Sequence, residues 1–247
     1  MRSIRERRDA APARRVCCEA TMLKPSLGLV AGIGPSAGFY YYKKLVRAFG
    51  GVRSRQSFVL AHGDVATVRA FLAADDPNGL AQYIASLIHI LDNANCDLVA
   101  IAATTVHLCL PQLTTLARLP IISLLDAARS GLLSSGARRV ALFGTRQTME
   151  SDLFGALRDI EVVQPEAAQI TTIADIYART VDRCGVSQDD LSALEGIAGT
   201  LFRRDAIDAV VVAGTDFSEA FHSRPPHYPF IDISDLHIAA ICERVFS

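Results

Sequence analysis

No apolar run in the chain approaches the roughly 20 residues that a bilayer-spanning helix needs. That absence removes helical membrane anchoring from the readings. An excess of either charge is also missing: 25 Lys and Arg stand against 26 Asp and Glu, a formal net charge of −1. Such balance gives no electrostatic case for nucleic acid or a membrane surface as partner. Six cysteines are present, at 17, 18, 96, 109, 184 and 242, but no CxxC pair and no His/Cys spacing of the metal-binding kind. Scattered thiols of this sort read as reduced, so the expectation is a cytoplasmic protein with no bound metal. Residues 1–24 lack both a periodic apolar face and a signal-peptide core; they are rich in arginine and read as a flexible tail.

What the chain does contain is a repeated alternation of short buried strands and helices. Asp97 to Leu108, DLVAIAATTVHL, reads as a buried strand running into two threonines and a histidine at a helix mouth. Asp208 to Glu219, DAVVVAGTDFSE, echoes it with an acid, a buried strand, a small residue and Thr-Asp. The strand LGLVA is followed by a glycine-rich turn, Gly32 to Gly38, and RRVALFGTRQTMES repeats that arrangement later. Helical spacing of apolar residues is clearest over 79–95, 169–183 and 192–203. The reading is an α/β fold of two similar three-layer lobes, each with a parallel sheet, related by a pseudo-twofold with the active-site cleft between them. One lobe is expected over 25–125 plus 225–247, the other over 126–224. The same alternation also permits a single continuous doubly wound sheet.

Parallel strands place ligands beyond their carboxyl ends, where helix N-termini offer free N–H groups. Gly34, Pro35, Ser36, Thr105, Gly144, Thr145, Thr148 and Thr215 are therefore the expected contacts for a small anionic ligand. Arg53, with Arg55 as its neighbour, is a candidate to hold a carboxylate bidentately. His107 lies three residues after Thr104 and shares its helical face. It reads equally as a base near neutral pH or as a brace for the loop. Asp216 is a carboxylate candidate for acid/base work or a helix cap, and Asp64 with His62 reads as a surface turn. Cys96 and Cys109 read as small buried residues.

GIGPSAGFYYYKKLV, the strand before TTVHL, FGTRQTMES, the strand before GTD, and DxxxLH at 232–237 together resemble the aspartate/glutamate racemase superfamily. The resemblance runs from about residue 27 to the C-terminus. It implies two α/β lobes, a substrate carboxylate held by backbone amides and threonines, no cofactor, and a homodimer. It also implies one cysteine per lobe, in patterns like CNTxH and GCTE, one thiolate taking a Cα proton and the other thiol returning it to the opposite face. At the matching positions this chain carries Ala103 and Gly214, with Thr104 for the asparagine and Asp216 for the glutamate. Neither Ala nor Gly moves a proton, and the lysine of aspartate-specific members is missing near PEAAQ at 165–169. The expectation is thus a cofactor-independent isomerase or lyase working from one side, with His107, Asp216 and Thr104 as its catalytic groups. A carboxylate-binding pseudo-enzyme is the alternative.

Overall fold

The computed structural model describes residues 25–50 and 57–247. The expected tail, Arg53 and Arg55 lie outside the described residues. In the first half, β1 (Leu27–Ala31) leads into α1 (Pro35–Phe49), then β2 (Phe58–His62), α2 (Val65–Ala73) and α3 (Pro77–Asn93). Then come β3 (Leu98–Ile101), a 3₁₀ turn over Thr105–Cys109, α4 (Leu110–Leu116) and β4 (Ile121–Ile122). The second half begins with α5 (Leu124–Ser135) and β5 (Arg139–Phe143), followed by α6 (Arg146–Glu150), α7 (Asp152–Gly155) and β6 (Glu161–Val162). The long helices α8 (Ala167–Arg183) and α9 (Gln188–Asp205) precede β7 (Ala209–Val212) and a 3₁₀ turn over Thr215–Phe217. The chain closes with α10 (Ser218–Ser223), β8 (Phe230–Asp232) and α11 (Ile233–Phe246).

The strands form two four-stranded parallel sheets of the same order, β2-β1-β3-β4 and β6-β5-β7-β8. The duplicated unit therefore holds, not the single continuous sheet. Alternation along β1 explains the layers. Leu27, Leu29 and Ala31 face Tyr41, Leu45 and the Ile238 and Ile241 side chains of α11, while Val30 faces Ile84 and Leu91 of α3. The second sheet is filled in the same manner, with Phe143, Val210 and Val212 sharing one core with Ile173, Leu194 and Leu132.

Residues 225–247 do not all return to the first lobe, which corrects the expected boundary. β8 pairs in register with β7, Val211 opposite Ile231, and so belongs to the second sheet. α11 straddles the two: Ile233 enters the second core, whereas Ile238, Ile241 and Val245 enter the first. The reason is geometric. A parallel β7–β8 pair completes the second sheet, and the helix that follows has apolar residues enough for a neighbour in each lobe.

Within each sheet the two central strands end level. The amide of Ala102 donates to the Val30 carbonyl at 2.9 Å, and those of Ala213 and Gly214 donate to the Phe143 carbonyl at 2.8 and 2.9 Å. The segments Ala103–Thr105 and Gly214–Asp216 are thereby delivered together to one end of their sheets.

Candidate active site

Both segments meet at a cavity of about 220 Å³ lined by residues of the two lobes. Its floor is polar. Thr104 and Thr105 come from the end of β3, Thr145 from the end of β5 and Asp216 from the end of β7. Thr105 Oγ1 lies 3.4 Å from Thr145 Oγ1 across the lobes, and Thr145 Oγ1 is 2.8 Å from Thr148 Oγ1. Thr145 also caps α6, accepting from the Thr148 amide. The hydroxyl of Thr104 is buried and has no partner among the described residues.

Asp216 is the acid that reaches this floor. It is 3% exposed. One oxygen accepts from the Ala37 amide at 3.2 Å, at the start of α1, and the other accepts from the Tyr177 hydroxyl at 3.0 Å. The carboxylate lies so close over Gly34 that a Cβ there would stand 1.9 Å from Asp216 Oδ2. Gly34 is thus a spatial requirement of the acid above it. Burial pushes the Asp216 pKa up, and the Ala37 amide, the Tyr177 hydroxyl, the Ser36 amide and the more distant Arg69 only partly offset that push. Burial and the charge of Asp216 raise the Tyr177 pKa well above the ordinary tyrosine value, so Tyr177 stays protonated and donates.

Tyr177, on α8, has a second role. A Cβ on Gly214 would meet its ring at 2.3 Å and the Gly144 Cα at 2.9 Å. The ring fills the space that a side chain at position 214 would need. Ala103, by contrast, opens onto the cavity. No cysteine lines the cavity among the described residues. Cys109 is buried, donates from Sγ to the Val106 carbonyl, and has its thiol pushed up to about 11 by burial. Cys96 is also buried, where burial raises it.

His107 stands behind this floor and does not line it. Its Nδ1 donates to the Ala103 carbonyl at 2.9 Å, which leaves Nε2 as the bare nitrogen of a neutral ring. Burial lowers its pKa to about 4. His237 stands edge-on to it at 6.5 Å, donating from Nε2 to the Ile122 carbonyl and accepting from the Tyr41 hydroxyl. The pair braces the strand ends from below.

The other expected residues divide in the same way. Gly34, Thr105 and Thr145 line the cavity; Pro35, Ser36, Gly144, Thr148 and Thr215 support it from the next layer. The hydroxyls of Ser36 and Thr215 are buried with no partner among the described residues. Asp64 caps α2, accepting from the Thr67 amide at 2.7 Å, and His62 packs over Gly32. Three polar lining residues escaped sequence reasoning, as did the apolar ones from α2 and α8. Arg69 on α2 and Arg146 on α6 reach the rim, and Tyr177 reaches the floor. Arg146 stood inside the FGTRQTMES motif and Tyr177 in a stretch of helical spacing, whereas Arg69 lay in a segment that carried no reading. Among the described residues no cluster of His, Cys, Asp or Glu is arranged to hold a metal, and no helix is long and apolar enough to cross a membrane.

Residues 30–241 match the family model for Asp/Glu/hydantoin racemases. An aspartate racemase homologue from Pyrococcus horikoshii is similar in structure, with a TM-score of 0.74 at 20% identity, covering 90% of this chain and 100% of that one. The aspartate racemase of Picrophilus torridus superposes with a TM-score of 0.68 at 21% identity, covering 89% and 94%. A glutamate racemase of Bacillus anthracis gives 0.61 at 12% identity, covering 89% and 80%. At these identities the structural likeness speaks for the fold alone.

Proposed function

Because the chain belongs to the Asp/Glu/hydantoin racemase family, we propose that it is a cofactor-independent enzyme that moves a proton on one face of a small carboxylic acid. The observation that carries this reading is Asp216. It is a buried carboxylate with a raised pKa, held by Ala37 and Tyr177 at the floor of the interlobe cavity, where no described thiol reaches.

In this reading the substrate carboxylate lies against Thr104, Thr105 and Thr145. Asp216 removes the proton from Cα, and the electron pair moves into the carboxylate as an enediolate. Hydroxyl donors already oriented at the floor stabilise that charge without reorganising. The raised pKa of Asp216 makes it a stronger base than an ordinary carboxylate. The proton returns from Asp216 to the same face, or to a conjugated carbon if the acid is unsaturated. His107 serves as a positioning residue, holding the carbonyl of Ala103 and with it the start of the threonine pair.

Incubation with candidate acids in D₂O tests this. The expected result is α-deuteration without loss of optical rotation, abolished in Asp216→Asn. Deuteration that survives in Asp216→Asn would refute the assignment, and racemisation would refute the one-faced mechanism. A second reading, a carboxylate binder without turnover, draws on the self-satisfied state of Asp216, whose two oxygens already have partners. It predicts ligand-induced thermal stabilisation with no deuterium uptake.

A further inference from the structure

The floor of the cavity is polar, but its walls are not. α2 presents Val65, Val68 and Leu72, and α8 presents Ala174, Ala178 and Val181, each set at three- and four-residue spacing along one helical face. The two helices come from different lobes and face each other over the threonines. The cations at the rim are engaged. Arg69 pairs with Asp182 of α8 at 2.7 Å, and Arg146 pairs with Glu150 at 3.0 Å and donates to Thr171.

Resting on the carboxylate reading above, we infer that the guest is a monocarboxylate bearing an aliphatic or aromatic side chain, and that Val68, Leu72 and Val181 set that preference. A first carboxylate satisfies the orphaned Thr104 hydroxyl and its neighbours. A second carboxylate, or an α-ammonium group directed at the walls, would lie against Val68, Leu72 and Val181, where the nearest cation, Arg69, is already paired with Asp182. Burying a charge unpaired is strongly unfavourable. Size agrees with this assignment. A dry cavity of about 150 Å³ accepts a benzene ring, and this one measures about 220 Å³ with its polar floor included. An acid the size of phenylacetate or isovalerate fits, ring or branch between α2 and α8.

The test is calorimetric binding to the full-length protein. Acetate, isovalerate, phenylacetate, succinate, L-aspartate and L-glutamate are the probes. Phenylacetate or isovalerate is expected to bind at least tenfold more tightly than succinate or either amino acid. Leu72→Ala is expected to lower the phenylacetate-to-acetate affinity ratio several-fold, and Leu72→Arg to shift the preference toward succinate. Unchanged melting curves would establish that each variant is folded. Succinate, aspartate or glutamate binding as tightly as the apolar acids would overturn the inference, as would binding of no acid at all. A ratio untouched by Leu72→Ala would overturn the role of that wall. Deuterium uptake reports on the proton-transfer mechanism separately. Tight apolar binding without exchange would sink only the catalytic reading, and exchange on aspartate with no apolar preference would sink only this one.

Discussion

At Asp216 the requirements of chemistry and stability oppose each other. Its folded pKa is raised by burial above the ordinary carboxylate value. Such a group favours the folded state at pH below its unfolded pKa, and that contribution is lost as pH rises through the folded value. Once ionised, the buried side chain is therefore a liability retained by the fold. Asp216→Asn is expected to melt at or above the parent temperature at pH 8, with the advantage shrinking toward pH 4; thermal denaturation at the two pH values checks this. A clear loss of stability at pH 8 would contradict it. Tyr177 and Gly214 form a second residue-scale pair. Gly214→Cys drives a side chain into the Tyr177 ring, and overpacking of this kind costs about 1–3 kcal/mol. In a Tyr177→Ala background the same change has room, so a double-mutant cycle should show coupling of about 1 kcal/mol or more. Additive effects would mean that the ring does not occupy that space.

Two elements meet below the floor: the 3₁₀ turn that carries His107 and the helix α11 that carries His237. Burial lowers their pKa values to about 4 and about 3, whereas an unfolded histidine titrates near pH 6.5. Between those limits the unfolded chain binds more protons, so stability rises with pH and is lost as pH falls. The slope is roughly 1.4 kcal/mol per pH unit for each histidine held neutral. His107→Asn keeps a donor for the Ala103 carbonyl but does not titrate. Urea denaturation between pH 4.5 and 6.5 should show a shallower pH dependence for this variant than for the parent. An equal slope would remove His107 from the account. The rest of the α11 contribution is packing. Ile241 is fully buried in the first core, and Ile→Ala at such a site costs about 2–5 kcal/mol.

Across the whole molecule, the two lobes share α11 and a cavity with walls from both. Ile233 is buried in one core and Ile241 in the other, so loss of either core removes support from a helix the second core needs. A single cooperative unfolding transition is expected, with tertiary and secondary probes coincident, and Ile241→Ala should shift the whole curve. Two separated transitions would show that the helix does not couple the lobes. The exposed Arg69–Asp182 pair that joins α2 to α8 adds little by comparison, since surface ion pairs contribute about 0–1 kcal/mol.

The primary structure alone determined the features that depend on neighbours along the chain. Runs such as LVAIA and AVVVA, short, apolar and bounded by acids and small residues, read as buried strands, and the small and hydroxyl residues after them read as the ends of parallel strands. The alanine at 103 and the glycine at 214 exclude thiol chemistry at those positions whatever surrounds them. Tertiary structure decided everything that depends on which helical face meets which partner. Periodicity marked α8 as amphipathic but could not say that Tyr177 would reach over Gly214 to Asp216. It could not place Arg69 at the rim, turn His107 away from the cavity, or assign β8 to the second sheet. These outcomes are fixed by packing between segments far apart in the chain, and a repeat of three or four residues carries no information about the partner it will meet.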